Sequence, residues 1–409
     1  MKDNNTPILA MVGFIVFVDM LGLGLILPVM PNLIREIAHT ELENAAEIGG
    51  VLLFAYAGMQ FLFAPVIGGL SDRFGRRPLL LITLFLLSID YAVMALAPSL
   101  GWLIAGRIVS GVMGATWAAS NSCIADRVPA ERRGAAFGML GGAGAAGYVL
   151  GPAIGGFAGE WGTRIPFWIA SALAFAGVVA GLILLKETLP PERRRAFDLA
   201  RANPLGSLIQ MSKTPFVFAC LAVLFLIQLS AQAQISIWAY WGELQFGWTP
   251  LTSGLTVSLY GVLIGVAQAV LTGRSIARFG PANTAKYSLL FGLPSYVLLA
   301  FASSTPMVIA AIVVGTITGM TFPALQGIVT SRISEDAQGE LQGAIGSTVS
   351  LTYIIGPIMM TQIFGHFADR RGFYFPGAPY LLSFALLCVA IIILWRTLAG
   401  DQARAALAS

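Results

Sequence analysis

Asp19, Asp90 and Arg107 are ionisable residues set inside long apolar runs. A charge at the centre of a bilayer costs about 2.5–3.5 kcal/mol even on a lenient insertion scale, so three of them in one half of a chain need a reason. Arg107 stays protonated and requires a counter-charge, which Asp19 or Asp90 can offer. Burial and a neighbouring guanidinium act in opposite directions on a carboxylate's hold on its proton. That competition lets a carboxylate take up a proton on one side of a membrane and release it on the other. Asp19, Asp90 and Arg107 are therefore the candidate proton-coupling residues, although a static ion pair that fixes helix packing would use the same types. Asp19 is favoured as the carrier because its run also holds Gly22, Gly24, Pro28 and Pro31, as expected of a helix that lines a cavity.

A second constellation is Gly68-Gly69-Leu70-Ser71-Asp72-Arg73-Phe74-Gly75-Arg76-Arg77-Pro78, between two apolar runs. Its chemistry suits a gate. Asp72 can sit at a helix N-terminus, while Arg73, Arg76 and Arg77 find carboxylates and helix C-termini, in contacts that exist in one state and break in another. Gly68, Asp72, Arg73, Gly75, Arg76 and Arg77 are its expected members, with Asp126 and Arg127 as partners. A third constellation is Gly138, Gly147, Gly151-Pro152 and Gly155-Gly156 in one run. Glycines at this spacing let another helix approach closely and the proline bends its own helix. Amides and aromatics in the runs suit a large, partly apolar ligand or, equally, interhelical hydrogen bonds. Asn121, Gln232, Gln234, Trp238 and Gln326 are the candidate substrate contacts. His39 and His366 are expected near the extracytoplasmic side and solvated. No nucleotide-binding loop, metal cluster or catalytic triad is present, which argues against an enzyme.

These residues need elements to carry them, and composition says which kind. Of 409 residues 57% are hydrophobic and 11% charged, against about 45–50% and about 25% in soluble domains. Lipid must solvate most of the chain, and spanning segments must then be helices or a closed barrel. Apolar runs near the ~20 residues a bilayer requires occur at 8–32, 46–70, 78–97, 100–123, 136–159, 165–186, 214–240, 251–272, 282–302, 305–328, 340–365 and 376–397. The first exceeds signal-peptide length and carries Asp19, so it is expected to be a retained membrane helix. Cys123, Cys220 and Cys388 lie inside apolar stretches and suggest packing rather than disulfides.

Of 24 Lys and Arg, Arg107 lies deep in a run and Arg35, Arg164, Arg370 and Arg371 fall in odd-numbered connections. The others gather at the termini and about the even-numbered connections. By the positive-inside rule both termini are expected in the cytoplasm, and the basic balance needs no nucleic acid as partner. The acidic group Glu36, Glu41, Glu43 and Glu47 is expected in the first extracytoplasmic loop. Residues 187–213, with Pro190-Pro191 and Arg193-Arg194-Arg195, read as a cytoplasmic linker between an N-terminal bundle, 1–186, and a C-terminal bundle, 214–409.

The halves repeat at one constant offset. Gly68 recurs as Gly273, Arg73-Phe74-Gly75 as Arg278-Phe279-Gly280, Arg127 as Arg332, Gly138 as Gly343, and Gly151-Pro152 as Gly356-Pro357. The second loop has Ile276-Ala277 where the first has Ser71-Asp72, so the acidic member of the gate belongs to the first half alone. The expected fold is an all-α membrane protein of twelve transmembrane helices in two pseudo-symmetric six-helix bundles.

With these motifs in hand, the chain resembles the tetracycline-exporter branch of the twelve-helix drug:proton antiporters, within the major facilitator superfamily. The likeness rests on Val18-Asp19, Gly22-Leu23-Gly24-Leu25, Pro28, the loop 71–78, Asp90-Tyr91, Gly106-Arg107, Ser110-Gly111, Gly151-Pro152, Gly155-Gly156-Phe157-Ala158-Gly159-Glu160, Phe246-Gly247-Trp248 and Pro323-Ala324-Leu325-Gln326-Gly327. The resemblance implies the major facilitator fold, functional roles for Asp19, Asp90 and Arg107, and an antiporter motif in the fifth helix. It implies proton-coupled efflux of a small amphipathic organic compound, with the proton gradient as energy source, no cofactor, and a monomer in the bacterial inner membrane. Two features of those pumps are missing. Their membrane histidine in the eighth helix falls at Ile264 or Gly265 here, and their ninth-helix aspartate near Gly292. Tetracycline itself therefore stays open as a substrate, and any proton site moves to the first half. A proton-coupled importer on the same fold remains an alternative, and a non-transporting receptor a remote one.

Overall fold

The computed structural model describes residues 6–114, 116–194, 206–334 and 337–408. The centre of the expected linker, 195–205, lies outside the described residues. Among the described residues every regular element is helical, and ten helices are long and apolar enough to cross a membrane. One of these, Pro250–Ala300, contains two spans. Gly280, at φ 77° and ψ 161°, breaks the helical path inside it. A further span is shared by Leu100–Met113 and Thr116–Arg127, on either side of residue 115. Twelve spans result: α1 Ile8–Ala38, α2 Leu42–Phe74, α3 Arg76–Leu96, α4 as just described, α5 Ala130–Gly159, α6 Ile165–Leu184, α7 Pro215–Phe246, α8 250–279, α9 281–300, α10 Thr305–Thr330, α11 Gln338–Ala368 and α12 Ala378–Ala408. Helix is the outcome because only intrasegment hydrogen bonds satisfy every backbone group in lipid.

Several helices run past the apolar cores that announce them. The acidic group is consequently not a loop. Glu36 lies on the last turns of α1, Glu43 and Glu47 lie on α2, and Glu41 alone stands in the connection. Charged residues do not end a helix once it leaves the hydrocarbon, since Glu and Arg are good helix formers in water. His39, at φ 50°, closes α1, and both His39 and His366 are exposed.

Contacts divide the chain into two compact units. The first comprises Met1–Ala45, Ala55–Asn203 and Trp248–Gly261, and the second Ala46–Phe54, Pro204–Gly247 and Val262–Ser409. Within the first unit α1 packs on α5 and α6, and α3 on α4 and α6. Within the second α7 packs on α11 and α12, and α9 on α10 and α12. The sequence repeat is thus a repeat of packing. It reaches the backbone as well, since Gly75 (φ 107°) and Gly280 (φ 77°) hold the same left-handed turn at equivalent positions, where a side chain would be strained.

The α1–α5 seam shows how glycine spacing becomes structure. Side chains at 147, 151 and 155 would run into the backbone carbonyls of Phe17, Leu21 and Leu25 respectively. Both series advance by four residues, so two helix backbones touch over two turns. Gly24 answers from α1, where a methyl would come within 2.7 Å of Pro152. In α11 only Gly356 keeps this function, filled by the side chain of Gln232; Thr352 and Met360 occupy the flanking positions.

Candidate functional site

Four helices of the first unit converge on one pocket. Asp19, Met20 and Leu23 reach it from α1, Tyr56 from α2, Leu87 and Tyr91 from α3, and Arg107, Ser110, Met113 and Gly114 from α4. The spacings are helical faces: 19 with 23, 87 with 91, and 107 with 110 and 114. Tyr91 sits over Gly22, where a Cβ would lie 2.6 Å from the phenol oxygen. Gly22 is therefore what allows α3 to present that ring beside Asp19.

The choice of partner for Arg107 is resolved. Its guanidinium lies 3.6 Å from the Asp90 carboxylate, both side chains being deeply buried. It donates to Met94 Sδ at 2.9 Å and stands 5.7 Å over the Tyr56 ring. Gly106 makes the room: a Cβ there would meet Asp90 Oδ1 at 2.7 Å. The pair is sparsely served, for Arg107 Nε and Asp90 Oδ2 have no hydrogen-bond partner among the described residues. Asp19 shares the pocket but makes no ion pair or hydrogen bond among the described residues. A carboxylate facing a pocket without a fixed partner is open to a proton or a ligand, whereas Asp90 is committed to Arg107.

Tyr56 and Gln60 carry no signal in the sequence, being ordinary polar residues in an apolar run. Gln60 Nε2 donates to the Gly114 carbonyl at 2.8 Å, and a Cβ on Gly111 would meet the Tyr56 carbonyl. Together they bind α2 to the Leu100–Met113 part of α4 and to Gly114, which follows it.

The segment 68–78, expected as a loop, is helical except at Gly75, where α2 passes into α3, and it carries a charge network inside the same unit. Asp72 pairs with Arg76 at 2.6 Å, and Arg76 Nε reaches Asp126 at 3.2 Å while its NH1 donates to Ser71 Oγ at 3.1 Å. Arg77 donates to the Leu182 carbonyl at 2.8 Å, satisfying the C-terminal end of α6. Arg73 lies over Phe74, and Gly68 faces open space. Arg127 donates to the Glu187 carbonyl at 2.6 Å.

Glu187 is the member that sequence reasoning missed. Its carboxylate accepts from the backbone N–H groups of Arg76 (2.9 Å) and Arg77 (3.3 Å) at the N-terminus of α3, and from Thr188 and Leu189, both 2.9 Å. An acid at a helix N-terminus satisfies orphan donors and the helix dipole together. Thr188 and Leu189 are buried beside it, so the chain after α6 is folded under this loop from its first residues. Nothing in the spacing of Glu187 relative to Arg76, more than a hundred residues earlier, announces the contact. Glu187→Ala is expected to lower the stability of the detergent-solubilised protein by about 1–2 kcal/mol, the range of a lost cap. Glu187→Gln, which still accepts hydrogen bonds, should recover roughly half. A thermal-unfolding series checks this, and an unchanged midpoint for Glu187→Ala would refute the cap.

The glycines of α5 at 147, 151, 155 and 156 divide between two faces of the helix. Gly147, Gly151 and Gly155 face α1, while Gly156 meets Pro250 and Leu251 at the start of α8, where Gly254 closes on the Pro152 carbonyl. Glu160 accepts from Leu251 N at 3.2 Å. Gly138 faces open space. Of the candidate substrate contacts, Asn121 is half-buried in the first unit. The other four belong to the second unit. Gln232 is 1% exposed, and its Oε1 has no hydrogen-bond partner among the described residues. Trp238 packs near Trp241, Gln234 is half-buried, and Gln326 donates to Gln342 at 3.0 Å. Gln326 also lines an apolar pocket with Cys220, Leu224 and Phe322. At the loop-end of α10, Arg332 is bound by Asp401 through two hydrogen bonds. Those bonds push its guanidinium pKa above the ordinary value.

The sequence profile of the Major Facilitator Superfamily matches residues 12–357 and 225–406. The chain belongs to the Major Facilitator Superfamily. Within the superfamily it is 37% identical, over 396 residues, to the tetracycline resistance protein, class C, of Escherichia coli, covering 97% of this chain and 98% of that protein. It is also 37% identical, over 400 residues, to the class G protein of Vibrio anguillarum, covering 94% and 96%. Among solved structures, a bacterial homologue of the human lysosomal transporter Spinster superposes with a TM-score of 0.82 at 16% identity, covering 97% of each chain. That last likeness concerns the fold alone. The chain is a multi-pass membrane protein of this superfamily and not an enzyme.

Proposed function

We propose that the protein is a secondary active transporter that exports a small amphipathic organic compound in exchange for protons, by alternating access. The observation that carries the reading is Asp19, a carboxylate without a fixed partner facing a pocket beside an arginine already committed to Asp90. Kinship with tetracycline resistance proteins supports the direction of transport and makes tetracyclines the first compounds to try. Ile264 packs on Gly319, and Gly292 on Leu387 and Thr318. Neither position offers a titratable group, which leaves proton coupling to the first half. Asp19 takes and releases the proton, and the Asp90–Arg107 pair biases it.

In this reading the bundles 1–186 and 214–409 rock about the linker 187–213. Asp72, Arg73, Arg76, Arg77, Asp126 and Arg127 latch the cytoplasmic side, with Gly68 and Gly75 shaping the loop. Gly138, Gly147, Gly151, Pro152, Gly155 and Gly156 form the antiporter motif. Asn121, Gln232, Gln234, Trp238 and Gln326 contact substrate. The protein works as a monomer in the bacterial inner membrane with both termini cytoplasmic, and the proton gradient drives it without a cofactor. Each proton exchanged for a neutral molecule across 100 mV releases about 2.3 kcal/mol, enough to sustain a roughly 50-fold substrate gradient.

Everted membrane vesicles energised to an acidic interior test the direction. A transported compound should collapse the pH gradient and accumulate inside. Accumulation by right-side-out vesicles instead would establish import, and movement with no pH signal would end the proton-coupling assignment.

A further inference from the structure

The connection between α11 and α12 is an aromatic shelf carrying two exposed arginines. Asp369 Oδ1 accepts from Arg371 N at 2.8 Å, Phe375 N donates to the Phe367 carbonyl at 2.8 Å, and Gly377 is seated against the Ala300 carbonyl at the end of α9. On this frame the rings run in sequence: Phe301 to Phe375 at 5.5 Å, Phe375 to Phe373 at 6.5 Å, and Phe373 to Phe367 at 6.3 Å. Phe373 is nevertheless 77% exposed, an extreme value for a phenylalanine held in an ordered turn. Arg370 stands 5.6 Å over the Tyr374 ring. Arg370 and Arg371 are both exposed, and neither makes an ion pair among the described residues.

Two points turn this shelf into a site. The connection joins the ends of two spans, so its rings lie at the depth where hydrocarbon meets headgroups and where aromatic residues are enriched. By the charge bias of the sequence, Arg370 and Arg371 fall with Arg35 and Arg164 on the side of the membrane that the other basic residues avoid. Arg164, another exception to that bias, is taken up by Glu36 at 3.0 Å and by the carbonyls of Ala95 and Ala97. Among the described residues Arg370 and Arg371 have no such carboxylate or carbonyl partner.

We propose that the α11–α12 connection binds the headgroup of an anionic phospholipid. Phe373 inserts among the upper acyl chains, and Arg370 and Arg371 close on the phosphate, the first held in place by the Tyr374 face. A phospholipid satisfies both halves of the shelf at once, since a free anion would leave the exposed ring in water. The assignment does not depend on what the protein transports.

The test places a bimane label on Phe373→Cys, in a Cys388→Ser background, with the full chain in phosphatidylcholine nanodiscs. A minority of chain-brominated phosphatidylglycerol should quench the label more than the same fraction of brominated phosphatidylcholine. Its local enrichment should approach roughly 30-fold, the limit that two engaged arginines set. The double variant Arg370→Gln/Arg371→Gln should bring the two lipids to parity, with the unfolding midpoint unchanged because both side chains are exposed. Equal quenching by both lipids before that change would overturn the proposal, as would a preference that survives it. Loss of the preference in millimolar inorganic phosphate would reassign the arginines to a free anion and overturn it too.

Discussion

Asp19→Asn abolishes compound-dependent proton release in everted vesicles, down to the level of vesicles lacking the protein, while the folded protein is recovered in normal amounts. The expectation rests on two facts about the site. Asp19 faces the pocket, and it holds no ion pair or hydrogen bond among the described residues whose loss would unfold the chain. Asparagine has nearly the same volume and keeps its hydrogen-bonding capacity, but it cannot bind and release a proton. Antiport therefore fails at the coupling step, and binding of a neutral compound is expected to persist within about threefold, since one polar contact is replaced by another. Measured together, binding and proton release separate the two. A variant that exchanges protons like the wild type would remove Asp19 from the mechanism and leave the first half without a carrier.

Arg107→Leu has the larger expected effect on the fold. Asp90 and Arg107 are each only 3% exposed, and removing one member leaves the other as an uncompensated buried charge. Breaking such a pair costs about 3–5 kcal/mol. Replacing both members with neutral residues is often close to neutral in stability. The double variant Asp90→Asn/Arg107→Leu should thus regain most of the unfolding midpoint that Arg107→Leu loses. Transport should not return with it, because the guanidinium that neighbours Tyr56 and the pocket is gone. Recovery of both stability and transport would reduce the pair to a packing device. No recovery of stability would mean that the Met94 and Tyr56 contacts, not the ion pair, hold Arg107 in place.

Much of the site was legible in the residues, though not its connections. An ionisable residue in an apolar run is conspicuous, so Asp19, Asp90 and Arg107 stand out from the sequence. The sequence left both acids open as the partner of Arg107, and the answer turned on Gly106, whose missing side chain admits the Asp90 carboxylate. Tyr56 and Gln60 were invisible because a tyrosine and a glutamine in a span have many ordinary uses. In the sequence Glu187 is only the start of a polar linker, whereas its carboxylate caps α3 and its carbonyl receives Arg127. Hydropathy puts the acidic group 36–47 in a loop because it marks where a helix leaves the hydrocarbon and not where it ends.

The helical class, the internal repeat and the kinship are written in the order of the residues. Each follows from obligations that act along the chain: backbone groups in lipid must bond within their own segment, and a repeated motif keeps its spacing wherever it lies. Which acid answers Arg107, which carboxylate caps α3, and which glycines of α5 face α1 rather than α8 emerge only from packing. Those outcomes depend on the rotation of each helix about its axis and on contacts a few ångströms across between residues far apart in the chain. A shift of one residue turns a helical side chain by about 100°, so the partner is settled only when the helices are packed.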